Sequence, residues 1–211
     1  NLSINAKTSC QYSSTQSSLF KVVEVTDVIS SASYVCVGET VTFGALTNPP
    51  NSAHLVTTAW IGGGSPYGGS GSQFSTSWST PGTKTVTVYC GSSSVSESVT
   101  VVDVVDVVSN ASVASVGQNV TFGAVTSPSG YGNLVSVTWS GGQNPATGTG
   151  SQWTTNWSTP GTKTVTATCG TSSAQKSVTV FTIKSETVAT KTTNGERTTI
   201  GLGEDPLCQN K

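Results

Sequence analysis

The ten-residue segment WSTPGTKTVT runs from Trp78 to Thr87 and recurs without change from Trp157 to Thr166, an offset of 79 residues. The same offset lays nearly everything from Ile29 to Val104 on what lies between Val108 and Ile183. Gly38 falls on Gly117, Phe43 on Phe122, Trp60 on Trp139, Pro66 on Pro145 and Cys90 on Cys169. A period of that length marks one folding unit that has been copied. Two such units fit the 211-residue chain, with a lead-in and a tail left over. Each can bury a modest core, yet is small enough to gain from covalent staples.

Within each copy, short β-branched runs with period two alternate with Gly/Pro/Asn/Ser clusters, the pattern of a sandwich. Strands are expected at Val22–Ile29, Thr40–Leu46, Val56–Ile61, Gln73–Ser77, Lys84–Cys90 and Val95–Val102. The second copy repeats them at Val102–Val108, Asn119–Val125, Val135–Ser140, Gln152–Asn156, Lys163–Cys169 and Gln175–Thr182. A short extra strand is expected in the Gly-rich loop of each copy, and no stretch carries a helical period. Val41 and Phe43 share one strand face, as do Val86, Val88 and Cys90, with the intervening Thr residues facing water. Pro81-Gly82 and Pro160-Gly161 are turn dipeptides, and Gly38 and Gly117 mark tight turns feeding a strand. SVTVVDVVDVV, from Ser98 to Val108, has no breaker inside it. The last strand of the first unit therefore flows into the first strand of the second, which excludes the free hinge a Gly/Ser coil would give.

Charged residues make up 9 % of the chain, against about 25 % in ordinary soluble domains. A net charge of −1 argues against a nucleic-acid footprint, which needs clustered Lys and Arg. No apolar run is long enough to span a bilayer, because Asp103 and Asp106 interrupt the longest one. The chain contains no Met, which implies a removed leader or a piece of something longer. Five cysteines in a Ser/Thr/Gly-rich chain point to an oxidising, extracellular setting. A zinc site is disfavoured by the single His and the lack of a Cys-x-x-Cys pair.

Each copy resembles a PKD-type (polycystic-kidney-disease) domain, an immunoglobulin-like β-sandwich of secreted prokaryotic surface proteins. The marks are VGETVTF and VGQNVTF, the strands ending in Trp60 and Trp139, then WSTPGTKTVTVYC and WSTPGTKTVTATC, and finally SVSESVTVV and SAQKSVTVF. Trp78 and Trp157 take the aromatic position that the family places before its turn. The loops IGGGSP and SGGQNP lack the acidic Asp-and-Gly loop of the family, so the cation-binding role of that loop is not carried over. The expected organisation is all-β: a lead-in over 1–20, immunoglobulin-like sandwiches over 21–104 and 105–183, and a tail over 184–211. Within that tail, IGLGEDPLC at Ile200–Cys208 resembles YVCVGETVTF, with Gly203-Glu204 on Gly38-Glu39. It reads as the start of a third unit cut at a fragment boundary, or as a strand donated to a neighbouring subunit.

An odd number of alternating strands places the two ends of each sandwich at opposite poles. Cys36 then lies at the lower pole of the first unit and Cys90 at its upper pole. Cys169 lies at the upper pole of the second, which the lower pole of the first meets when the units stack. A Cys36–Cys169 bridge across the junction is expected, with Cys10–Cys90 doing the same where the lead-in meets the first unit; Cys36–Cys90 within one unit is the alternative. Cys208 is left as a candidate for a bond between chains.

His54, the one imidazole, has no acid partner in its Pro-rich loop, so no catalytic residue is expected. Glu24, Asp27, Asp103 and Asp106 gather at the strand joins without the spacing of a calcium loop, and no metal or cofactor is implied. Phe74 with Trp78 and Trp153 with Trp157 share strand faces, either in the core or as sugar-stacking pairs. Tyr67 and Tyr131 are loop candidates for surface contacts, and Asn110, Asn119 and Asn156 begin N-x-Ser/Thr sequons. Two roles compete. One is a non-enzymatic stalk or filament subunit outside the cell, partnered by copies of itself or by other surface proteins. The other is an accessory polysaccharide-binding or adhesive module.

Overall fold

The computed structural model describes residues 3–7, 13–17, 22–183, 189–193 and 196–200. The lead-in contributes β1 (Ser3–Lys7) and β2 (Ser13–Ser17), paired antiparallel with each other. Then come β3 (Glu24–Ser30), β4 (Tyr34–Cys36), β5 (Val41–Asn48), β6 (Ala59–Ile61), β7 (Gly68–Ser70), β8 (Gln73–Thr76) and β9 (Gly82–Cys90). The 17-residue β10 (Ser93–Ser109) leads into β11 (Val113–Ser115), β12 (Val120–Ser127), β13 (Thr138–Ser140) and β14 (Thr147–Thr149). β15 (Gln152–Thr155), β16 (Gly161–Cys169) and β17 (Ser172–Phe181) complete the second copy, and β18 (Ala189–Thr193) pairs with β19 (Glu196–Ile200) in the tail. Among the described residues the one helical feature is a 3-10 turn at Ala53–Leu55.

The chain folds as tandem immunoglobulin-like β-sandwiches. In the first, the sheet β3-β5-β8 faces the sheet built from β4, the first part of β10, β9, β6 and β7. In the second, the last part of β10 with β12 and β15 faces β11-β17-β16-β13-β14. β10 therefore belongs to both. Residues Ser93–Val101 pair with β9, and Asp103–Ser109 pair with β12. As the sequence implies, no linker separates the copies.

The period-two alternation of β10 breaks where it changes core. Val99 and Val101 pack into the first core, while Val104 and Val107 pack into the second. Adjacent Val101 and Val102 are both 0 % exposed, although neighbours on a strand point to opposite faces. The strand thus offers one face to the first sandwich and the other to the second. A β-bulge at Val105 then resets the phase so that Val107 returns inward; the matching bulge at Thr26 does this between Val25 and Val28. Both cores are built alike around Phe43 or Phe122, Trp60 or Trp139, and Trp78 or Trp157. Each indole donates to a loop carbonyl: Trp60 to Gly71 and Trp139 to Gly150, both at 2.7 Å, Trp78 to Gly62 at 3.0 Å and Trp157 to Gly141 at 3.2 Å.

Several expectations change. β7 and β14 are the extra strands expected in the Gly-rich loops. β4 and β11, in contrast, are additional, and each pairs parallel, with β10 and β17 respectively. A three-residue strand has too short a pattern to read, and parallel partners come from far along the chain. The lead-in, which carries no strand pattern in the sequence, holds a hairpin. The tail pairs β18 with β19, and the residues after Ile200 that resemble a third unit lie outside the described residues.

Truncating Phe122 to Ala should cost about 3–5 kcal/mol, from lost transfer energy plus the cavity. Val105→Thr, at the exposed bulge, should stay within about 0.5 kcal/mol. Guanidinium denaturation of the two variants checks the assignment of inner and outer positions.

Candidate functional site

Covalent and polar contacts between the sandwiches gather at the joint where they meet. Its lower half is a tight turn at the end of β4. Cys36 donates its N–H to Glu39 Oε2 at 2.7 Å, Glu39 N–H donates to Cys36 O at 3.1 Å, and Gly38 takes φ 82°. The N–H of Gly38 donates to Trp78 O at 2.9 Å, which ties the turn to the repeated WSTPG segment. Its upper half is the turn between β16 and β17. There Ser172 Oγ donates to Cys169 O at 2.9 Å and accepts from Val104 N–H at 3.1 Å.

The halves meet closely. Cys36 is disulfide-bonded to Cys169, with Cα atoms 5.3 Å apart, so the Cys36–Cys90 alternative falls. Although Cys36 belongs to a strand of the first sandwich, its side chain lies in the core of the second. Thr171 donates to Val37 O twice, from N–H at 2.9 Å and from Oγ1 at 3.1 Å. A Cβ added at Gly170 would overlap the Val37 carbonyl oxygen, and one at Gly38 would overlap the Thr171 side chain. Tyr34 and Tyr131 pack ring against ring, with centroids 5.6 Å apart, across the same boundary. Covalent, polar and apolar contacts thus coincide in one place.

The remaining candidates scatter. Cys90 is buried, with Sγ 3.6 Å from Val23 O; Cys10 and Cys208 lie outside the described residues. Phe74 and Trp153 are 6 % and 7 % exposed, so neither is a surface or glycan contact. Both stack on the strand tryptophans, Phe74 on Trp60 at 6.0 Å and Trp153 on Trp139 at 5.9 Å. The buried Trp153 Nε1 has no hydrogen-bond partner, and the first copy carries Phe there; the position calls for a ring, not a donor. Trp78 and Trp157 are core as well. Tyr67 is 68 % exposed and stays available for contacts, whereas Tyr131 is engaged in the joint.

His54 sits exposed in the 3-10 turn. Among the described residues no group of His, Cys, Asp or Glu is arranged to hold a metal. The acids serve the backbone instead: Asp27 and Asp106 accept from the N–H of Val28 and Val107 at 2.9 and 2.8 Å, just past the bulges. Glu24 accepts from Asn48 at 3.1 Å. Asn156 donates to Asn119 Oδ1 at 2.8 Å, and Asn110 Oδ1 accepts from Thr121 N–H at 3.0 Å. A shallow groove beside the joint is lined by Gly38, Gly64, Trp78, Lys84 and Thr171. Its one ionisable side chain, Lys84, donates to Thr80 Oγ1 at 2.9 Å and faces no acid or nucleophile pair there.

No protein-family model and no curated protein matches the chain. Among solved structures, domains 5–6 of the S-layer protein SbsC align with 77 % of this chain and 99 % of theirs, at 17 % identity and TM-score 0.30. The Escherichia coli adhesin FdeC aligns over 76 % of this chain and 66 % of its own, at 14 % identity and TM-score 0.36. The ICAM-5 D1–D4 fragment aligns over 81 % of this chain and 56 % of its own, at 13 % identity and TM-score 0.30. Likeness at this level carries no conclusion about role.

Replacing both Cys36 and Cys169 by Ser should lower stability by about 3–5 kcal/mol, since the bridge closes a span of 133 residues. Chemical denaturation against the oxidised parent measures it. Gly170→Ala should destabilise more than Gly91→Ala by about 1–3 kcal/mol. The two glycines share φ near 60°, but only the first is covered by a carbonyl.

Proposed function

We propose that this chain is a non-enzymatic structural protein of the cell exterior, a stiff stalk or filament subunit made of PKD-type units stacked end to end. The folding units are taken as 21–104 and 105–183. One observation carries the reading: Cys36, from one sandwich, is sealed inside the core of the next and bonded there. A strand shared by both cores, together with that bridge, leaves no hinge on which the copies could swing. Molecules that must transmit force or hold a spacing need such a joint, and a catalyst or solution binder does not. A structural disulfide also fits an oxidising compartment. The hydroxyl-rich outer faces accord with an exposed role: Thr85 pairs with Ser98, Thr87 with Ser96 and Thr164 with Ser177 across neighbouring strands.

The polysaccharide-binding alternative loses its platform, because Phe74, Trp78, Trp153 and Trp157 are all buried. An adhesive role keeps Tyr67 alone among the aromatic candidates. Partners on the leading reading are further copies of this chain or neighbouring surface proteins.

Negative-stain electron microscopy over a concentration series should show rods that lengthen with concentration, and pull-down on insoluble polysaccharide should leave the protein in the supernatant. Monodisperse particles at every concentration, with retention on polysaccharide, would overturn the reading.

A further inference from the structure

Each half of the joint occurs once more in the molecule, and no described residue fills either repeat. At the lower pole of the second sandwich, Ser115, Val116 and Gly117 form the turn that Cys36, Val37 and Gly38 form in the first. Ser115 N–H donates to Gln118 Oε1 at 2.9 Å, and Gly117 takes φ 80°. Gly38 is packed on Thr171, whereas no atom of a described residue lies within 4 Å of where a Cβ on Gly117 would stand. Val102 and Val104 are 0 % and 3 % exposed, but Phe181 and Ile183, at the matching positions, are 43 % and 71 % exposed.

At the upper pole of the first sandwich, the turn Cys90–Ser93 keeps the hydrogen bonds of Cys169–Ser172. Ser93 Oγ donates to Cys90 O at 2.9 Å and accepts from Val25 N–H at 3.0 Å. Gly91 has φ 60°, against 61° for Gly170. Gly170 is covered by Val37, while no described residue has an atom within 4 Å of a Cβ on Gly91.

We propose that these open halves meet between molecules: the Ser115–Gly117 turn of one copy seats on the Cys90–Ser93 turn of a second. The proposal rests on the assembly reading above and names its contact. Ser92 takes the part of Thr171, donating from N–H and hydroxyl to the Val116 carbonyl. The Ser115 hydroxyl faces the Cys90 thiol, so this joint is non-covalent where the internal one is bridged. A second copy is the favoured occupant because both complementary surfaces are on every chain, so one contact covers both poles. A cap from the lead-in would cover the upper pole alone. The contact joins two different surfaces, so it propagates as a filament unless its rotation happens to close a ring.

The test is Ser115→Cys in a background carrying Cys10→Ser and Cys208→Ser, under mild oxidation. The expected result is a ladder of covalent oligomers on non-reducing gels, with a peptide map joining position 115 to Cys90. Adding Ser92→Trp, at an exposed position of the same turn that lies outside the left-handed region, should abolish the ladder while the Cys36–Cys169 bridge and the melting temperature are retained. A map without the link between position 115 and Cys90 overturns the proposal. So does a Cys10–Cys90 peptide from the unaltered protein, which gives the place to the lead-in. Rods by microscopy without the link leave the assembly reading standing and remove this joint; neither rods nor link removes both.

Discussion

A strand that belongs to two hydrophobic cores at once cannot be moved for the benefit of one. β10 supplies Val99 and Val101 to the first sandwich and Val104 and Val107 to the second, with no residue between that is free to rotate. Twisting one copy against the other would pull apart the ladder with β9 or the ladder with β12. The Cys36–Cys169 bridge stands beside this strand and constrains the joint on a second line. Two separate attachments resist rotation far better than one, and this coupling underlies the mechanical reading of the molecule.

The copies agree where packing decides and differ where neighbours decide. Phe43 and Phe122, Trp60 and Trp139, and Trp78 and Trp157 occupy equivalent places in two cores that must be filled to the same density. At the poles the match relaxes. Cys36 is answered by Ser115, Tyr34 by Val113 and Tyr131 by Ser52. Those positions face whatever adjoins the unit, and the first copy's lower pole adjoins the second copy. Along the outer sheet faces, Ser and Thr pairs stand where charged pairs would be usual, so the surface is hydrated with little charge.

Much of this was legible in the residues. The offset of the repeat, the Pro-Gly turns, the alternation in β9 and β16 and the unbroken Val-rich run are local patterns with local causes. The parity of the strands also placed Cys36 and Cys169 at meeting poles, which is how their pairing could be anticipated. Phe74 and Trp153 show the limit of such reading. Alternation shows that an aromatic shares a face with its neighbours two positions away, yet it is silent on whether another sheet covers that face. The three-residue β4 and β11 escape a sequence reading for a related cause, since a parallel partner is set by chain passing at a distance.

The sequence by itself determined the tandem all-β architecture, the turns and which residues share a face on the long strands, because period, β-branching and Gly/Pro placement act over a few residues. Only the tertiary structure decided that Val101 and Val102 are buried on opposite faces of one strand. It alone put the Cys36 side chain inside the neighbouring core and left Gly91 and Gly117 uncovered by any described residue where their counterparts are packed. These outcomes depend on which surface arrives from elsewhere in the fold, and burial is a property of the pair of surfaces rather than of either segment alone.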